Sequence, residues 1–180
     1  GEIDQLTKKG KLDLSEKEYL EVIERKTAVL IQGACQCGAI LAKANKEKED
    51  ALSQYGFHLG MAFQMADDLL DYTASAQELG KNPGADMREG KLTLPLIHSL
   101  ANASLKDKEW MEAAITAPEF NLEQFEKLKE KLYKYKGIEY TLKKAQDHVT
   151  KAKACLDGFH DCQSKQLLCL IADYSIERKV

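Results

Sequence analysis

Apolar residues recur every three or four positions along most of the chain, which is the period of an amphipathic helix. The two longest stretches predict one helix over residues 16–45 and another over residues 48–75. Shorter helices are predicted over 93–103, 108–116, 122–135, 138–156 and 162–177. Strand-like alternation is lacking. The pattern predicts an all-α fold, an antiparallel helical bundle in which residues 1–180 form part of a single domain.

Local signals mark several helix ends. Ser15 and Glu18 have the spacing of a capping box, and Asn121 with Gln124 repeats it before a later helix. Gly137 is predicted to separate two helices. Residues 80–92 hold three glycines and Pro83, which predicts a loop.

Composition narrows the class of protein. With 44% hydrophobic and 31% charged residues the chain is typical of a globular domain, and its net charge of −3 argues against nucleic-acid binding. No apolar run approaches the length of a bilayer span, and no signal peptide is visible. We therefore expect a cytoplasmic protein, with organellar targeting left open. Five cysteines, an odd number, fit reduced thiols. Three of them recur every seven residues (Cys155, Cys162 and Cys169) and would form a buried seam on a single helix, unless Gly158 interrupts that helix.

Three acids interrupt the apolar pattern of the second long helix. Asp67 and Asp71 share one helical face and Asp68 flanks it, because each residue advances about 100°. Burying unpaired carboxylates is costly, and a hard cation such as Mg²⁺ binds through one or two carboxylates together with water and phosphates. A solvated helix face is the alternative interpretation.

The residues around the acids favour a functional site over a solvated helix face. Gln64 lies one turn earlier on the same stripe, and the following loop brings three basic residues, Lys81, Arg88 and Lys91. Carboxylates for a metal ion and lysines for phosphate suggest a metal–diphosphate site.

These residues carry a resemblance to a known family. The run from Phe63 to Tyr72 resembles the second aspartate-rich motif of the trans-prenyltransferases, the polyprenyl diphosphate synthases. The stretch from Gly80 to Pro95 looks like the loop that follows that motif. Upstream, Gly1-Glu2 with Gln5 resembles a Gly-Glu-x-x-Gln segment of the family, and Lys26-Thr27 resembles its phosphate-contacting pair.

The resemblance implies the isoprenoid synthase type of all-α fold and a role for each site residue. Asp67 would ligate Mg²⁺, Asp71 would ligate it or orient a bound water, and Asp68 would accept a hydrogen bond behind them. Lys81 and Lys26 would contact diphosphate. Thr27 would lie near a developing carbocation, with a hydrogen bond from its hydroxyl back to its own helix as the alternative. Gln64 would line the site, and Phe63 is equally a product contact or a core residue. For Lys91 and Asp86, pinning the loop by ion pairing is an equal alternative.

The resemblance also implies the reaction. An allylic diphosphate ionises with the help of Mg²⁺, isopentenyl diphosphate attacks, and a trans-polyprenyl chain grows by one unit without a redox cofactor. A homodimer with a buried helical interface is implied too, and the small residues Gly33, Ala34 and Gly38 suit close helix contact. A product of medium or long chain length is expected from the resemblance alone.

The chain lacks the family's first aspartate-rich motif and its paired arginines. We therefore expect it to be the C-terminal part of a synthase, truncated or associated with a separate N-terminal part, and inactive in isolation. Two alternatives remain: a non-catalytic partner subunit of a heteromeric prenyl diphosphate synthase, and a terpene cyclase relative. Four scattered histidines show no ligand spacing and are expected to be structural or exposed: His58, His98, His148 and His160.

Overall fold

A computed structural model describes residues 3, 5, 10–73, 84–117 and 121–177, and the side chains of Asp86 and Arg88 lie outside this description. Over these residues all regular secondary structure is helical, which confirms the all-α prediction. None of the described helices is both long enough and apolar enough to cross a bilayer. The chain divides into two compact units, one comprising mainly residues 21–66 and 143–178 and the other mainly residues 2–20 and 67–142. The expectation of a single domain stays a prediction.

The helices are numbered in chain order. They are α1 (Glu16–Ile23), a π-helical turn (Glu24–Ala28), α2 (Val29–Leu41), α3 (Lys46–Thr73), α4 (Ala85–Arg88), α5 (Leu94–Asn102), α6 (Leu105–Thr116), α7 (Leu122–Lys134), α8 (Gly137–Ala154) and α9 (Gln163–Glu177). Both predicted capping boxes are present. Glu18 accepts from the backbone N–H of Ser15 at 3.0 Å, and Gln124 accepts from that of Asn121 at 3.0 Å.

The predicted continuous helix over 16–45 is wrong in two respects. The α-helical hydrogen bonding is interrupted at the π-helical turn, and α2 ends at Leu41. Lys43 then adopts a left-handed conformation with φ 53°, while Asn45 caps the start of α3 by accepting the Lys48 N–H at 3.0 Å. Apolar periodicity cannot report either feature, because a single wider turn barely shifts the stripe.

Two other predicted segments also differ from the structure. Within the predicted loop over 80–92, residues Ala85–Arg88 form one helical turn. The residue that breaks the chain before α8 is Lys136, with φ 60°, whereas Gly137 is the first residue of the helix. Gly137 is required there for space, because a Cβ atom would collide with the Pro95 carbonyl and the Ser99 hydroxyl.

The first unit has an apolar core where α3 packs against α8 and α9. Its buried members are Tyr55, Leu59, Ala62, Val149, Ala152, Leu156 and Ala172. The Tyr55 hydroxyl donates to the backbone carbonyl of Leu168 at 2.8 Å, so the ring is buried without an unsatisfied polar atom. Three of the cysteines, Cys35, Cys155 and Cys169, pack against this core. The cysteine seam is wrong as a single-helix feature, because α8 ends at Ala154 and α9 begins at Gln163.

The second unit packs the last turn of α3 against α5 and α7. The Tyr72 ring lies parallel to that of Phe125 with centroids 6.5 Å apart, and its hydroxyl is 2.8 Å from that of Thr93. Leu94, Leu96 and Leu128 are fully buried. The end of α3 that carries the acids is therefore anchored in a packed core.

Candidate active site

The three predicted metal-binding acids occupy different environments on α3. Asp67 is exposed, whereas Asp68 and Asp71 are 5% and 8% exposed. A buried carboxylate requires hydrogen-bond donors, and the structure provides them for both buried acids. The helix thus presents one carboxylate to solvent and fixes the two others from behind.

Asp68 is held by Tyr19 of α1. The tyrosine hydroxyl donates to one carboxylate oxygen of Asp68 at 2.6 Å, and the Tyr19 ring is buried. Such charge-assisted hydrogen bonds are shorter and stronger than neutral ones. Tyr19 was missed from the sequence, where it looks like an ordinary apolar residue of an amphipathic helix; its partner lies 49 residues away.

Asp71 is held by the backbone that precedes α4. Its Oδ1 accepts the N–H of Ala85 at 2.9 Å, and its carbonyl accepts the N–H of Gly84 at 3.2 Å. Gly84 has φ 77°, a conformation that suits glycine, and a Cβ there would meet the Phe125 ring at 2.9 Å. The backbone after the loop is therefore fastened to the last turn of the acidic helix.

These contacts determine how the acids could hold a cation. Among the described residues, no group of three or more His, Cys, Asp or Glu side chains is arranged to hold a metal ion. Mg²⁺ takes one or two carboxylates and completes its octahedron with water and substrate phosphates, and the assignment of Asp67 and Asp71 as its ligands stays a prediction. Asp68, turned to Tyr19, fits the supporting position that the resemblance implies.

In the other unit, Thr27 and Gln64 form a second part of the candidate set. The Thr27 hydroxyl donates to the Gln64 side-chain oxygen at 2.7 Å, and Gln64 is 6% exposed. A hydroxyl has one proton, so this bond excludes the alternative in which Thr27 donates to its own helix. Thr27 lies in the π-helical turn, a feature often found at functional sites.

Glycines on α3 permit this contact. A Cβ at Gly60 would lie 2.5 Å from the Ala28 Cα, and one at Gly56 would lie 2.7 Å from the Ile31 carbonyl oxygen. No side chain fits at these distances. The π-helical turn and α2 therefore approach the α3 backbone directly, which brings Thr27 within reach of Gln64.

The other predicted site residues have less defined partners. Lys26 and Phe63 are half-buried on the π-helical turn and α3. Lys91 is paired with Glu89 at 2.8 Å, as the loop-pinning interpretation expects. Lys81, Gly1 and Glu2 lie outside the described residues, as does the side chain of Asp86. The catalytic roles of all these residues stay predictions.

The structure also joins two of the four histidines. The Nδ1 atoms of His58 on α3 and His148 on α8 are 3.0 Å apart. Burial, and then the charges of His58 and Lys151, lower the pKa of His148 to about 4. The sequence held no signal for this pair, because its members are 90 residues apart.

Comparison with known proteins identifies the family of the chain. A family model described as "Polyprenyl synthetase" matches residues 1–133. The chain belongs to this family. It is 36% identical to octaprenyl diphosphate synthase of Escherichia coli K12 over 178 residues, covering 99% of this chain and 55% of that protein. It is 35% identical to heptaprenyl diphosphate synthase component 2 of Bacillus subtilis, covering 99% of this chain and 50% of that protein.

The fold agrees with solved structures of the polyprenyl synthetase family. A polyprenyl synthase from Caulobacter crescentus CB15, complexed with calcium and isoprenyl diphosphate, superimposes with a TM-score of 0.93 and 39% identity. The match covers 99% of this chain and 55% of that one. The isoprenoid synthase type of fold is thereby confirmed. The chain spans about half the length of the curated relatives it matches.

Proposed function

We propose that this chain is part of a trans-polyprenyl diphosphate synthase, which condenses isopentenyl diphosphate with an allylic diphosphate. The observation that carries the proposal is the burial and hydrogen bonding of the three acids on α3. Asp68 and Asp71 are buried and hydrogen-bonded, while Asp67 is exposed. Burying two carboxylates on a helix that only packs would be costly, and an exposed carboxylate supported by two fixed ones fits a site for a cation and a diphosphate.

The acids and lysines have distinct parts in this proposal. Asp67 and Asp71 would hold Mg²⁺, and Asp68 would fix the helix through Tyr19. When bound, Mg²⁺ neutralises charge on the leaving diphosphate. Lys26 and Lys81 would add positive charge to the same phosphates. These contacts favour breakage of the allylic C–O bond, in which the electron pair leaves with the diphosphate.

The hydrogen-bonded pair of Thr27 and Gln64 in the first unit has a different role. In the proposal, Thr27 and Gln64 present oxygen dipoles to the developing allylic cation, and the bond between them fixes both side chains. Phe63 lines the apolar part, and Lys91 keeps the loop in place through Glu89. The double bond of isopentenyl diphosphate attacks the cation, a C–C bond forms, and a proton is lost to the released diphosphate.

The acid assignment can be tested by ligand binding to the 180-residue chain. We expect Mg²⁺ to raise its affinity for a bisphosphonate, and the bisphosphonate to raise its affinity for Mg²⁺, because each completes the site of the other. Calorimetric titrations of wild type and Asp67→Ala measure this coupling, which should be lost in the variant. Asp50→Ala, which removes an exposed acid from the same helix, is the control. Equal coupling in wild type and Asp67→Ala would show that the assignment is wrong.

A second candidate function is that of a non-catalytic partner subunit. One relative is named heptaprenyl diphosphate synthase component 2, and this name supports a synthase of more than one component. In either case we propose that the isolated chain does not elongate a prenyl chain, since it lacks the first aspartate-rich motif and the paired arginines of the family.

We further propose that the chain associates through helix α2. Leu30 and Leu41 are 77% and 84% exposed, and Ala34 and Cys37 between them are exposed as well. These four residues follow the heptad-like spacing of one helical stripe, which we call the α2 face. A contiguous exposed apolar stripe is typical of an interaction surface. The occupant of the α2 face would be a second copy or an N-terminal part of the synthase.

A further inference from the structure

The two paired histidines lie outside the predicted active-site residues and serve no step of the proposed reaction. His58 and His148 are both half-buried, and their ring centroids are 5.1 Å apart with the planes inclined at 53°. Phe57 packs edge-on against His58 with centroids 5.1 Å apart, and lies 6.4 Å from the His148 ring. The aromatic neighbour restricts both rings, so the two Nδ1 atoms are held facing each other.

The separation of the two nitrogens is close to that of two ligands on one metal ion. Zinc binds imidazole nitrogen at about 2.0–2.1 Å, so two nitrogens at a tetrahedral angle lie about 3.3 Å apart. The observed 3.0 Å differs by a few tenths of an ångström, and small ring rotations bridge that difference.

The chemistry of the donors selects the class of cation. Imidazole suits Zn²⁺, Ni²⁺ and Cu²⁺, whereas Mg²⁺ and Ca²⁺ prefer oxygen ligands. The lowered pKa values of both rings keep them neutral at pH 7, the form that ligates a metal. Among the charged neighbours of His148, Asp147 favours a cation, and Lys144 and Lys151 oppose it.

We propose that His58 and His148 form a two-histidine site for a zinc-class divalent cation, with water completing the coordination. The site joins α3 to α8 inside the first unit. With two protein ligands and two lysines nearby, its affinity is lower than that of four-ligand structural zinc sites. It is independent of the acids that the proposed reaction uses.

The proposal is tested on the 180-residue chain after chelator treatment, using Zn²⁺ alone as the probe at pH 7.5. Calorimetry should show one site that His58→Gln or His148→Gln weakens at least tenfold. His160→Gln, a matched change in an exposed histidine, should leave it unaltered. Lys151→Gln should tighten binding, because it removes a repulsive charge. Mg²⁺ should not compete.

A second measurement on the wild-type chain guards against variants that fail to fold. Zn²⁺ should shift the side-chain ¹⁵N resonances of two histidines and leave those of His98 and His160 in place. Zn²⁺ binding that survives in His58→Gln/His148→Gln would assign it to other ligands, such as the cysteines or the acids of α3, and overturn the proposal. Absence of binding to wild type would leave the pair as a plain hydrogen bond, which also overturns it. Either outcome leaves the proposed prenyl transfer untouched.

Discussion

At the scale of single residues, two glycines of this chain occupy opposite environments. Gly60 stands where a helix crosses, and a Cβ there would lie 2.5 Å from the Ala28 Cα and 3.1 Å from its Cβ. Gly38 of α2 faces open space, with nothing within 4 Å of a Cβ. The sequence shows both simply as small residues inside helices. Only the structure separates a glycine needed for close approach within the fold from one that faces open space.

Because of this difference, alanine substitutions at Gly60 and Gly38 should change the free energy of unfolding in opposite directions. We expect Gly60→Ala to lower the free energy of unfolding by about 1–3 kcal/mol, because the added methyl forces the helices apart. Gly38→Ala should raise it by roughly 0.5–1 kcal/mol through helix propensity alone. Urea unfolding of wild type, Gly60→Ala and Gly38→Ala measures both changes in the free energy of unfolding. A neutral Gly60→Ala would contradict the close approach of α3 to the π-helical turn.

The hydrogen bonds of the buried acids mark the limit of sequence reasoning at this scale. The cluster of Asp67, Asp68 and Asp71 was visible because polar residues broke an apolar stripe. The donors to Asp68 and Asp71 were not, since one is a tyrosine on another helix and the other a backbone N–H. A backbone donor has no sequence signature, and a tyrosine has the same periodicity whether or not its hydroxyl is used.

At the scale of elements, the order of the long helices and most of their boundaries followed from the sequence. The caps at Ser15 and Asn121 were identified because their side chains bond to nearby backbone, within three residues. The π-helical turn and the left-handed Lys43 and Lys136 were missed. Those features depend on contacts with distant elements, and lysine gives no local sign that it will adopt a positive φ.

α6 and α7 are joined by a polar contact that the local sequence pattern also does not predict. Asp107 accepts hydrogen bonds from Lys131, from Lys134 at 2.6 Å and from the Tyr135 hydroxyl at 2.6 Å. Bonding to Lys131, then to Lys134 and Tyr135, holds the pKa of Asp107 well below its ordinary value of 3.8. The helices are thus joined by one carboxylate that stays ionised in the folded state.

A pH dependence follows from that lowered pKa. A group with a depressed folded-state pKa stabilises the fold above its unfolded pKa and loses this contribution as the pH falls below that value. We therefore expect the melting temperature of wild type to fall as the pH is lowered from about 5 toward 2, and Asp107→Asn to show a flatter profile. Asp157→Asn, which changes an exposed acid, should keep the wild-type slope. Thermal melts across this range measure it, and identical slopes for wild type and Asp107→Asn would contradict the assignment.

At the scale of the whole molecule, the α2 face leaves apolar side chains exposed, Leu30 at 77% and Leu41 at 84%. The α2 face is a continuous stripe, unlike the isolated exposed residues Leu105 and Leu122 on α6 and α7. Scattered exposed leucines are ordinary, whereas a contiguous stripe marks an interaction surface. The family relationship adds weight, since relatives are about twice as long as this chain.

We predict that the chain self-associates through the α2 face at micromolar concentration. Burying Leu30 and Leu41 removes apolar area from water, and the small residues between them allow close helix contact. Leu30→Glu and Leu41→Glu should each shift the sedimentation equilibrium toward monomer, because a carboxylate on the stripe resists burial. Leu105→Glu, a matched change at a solitary exposed leucine, should sediment as wild type. A wild-type chain that remains a monomer would remove the second copy as occupant and leave an N-terminal part of the synthase as the partner of α2.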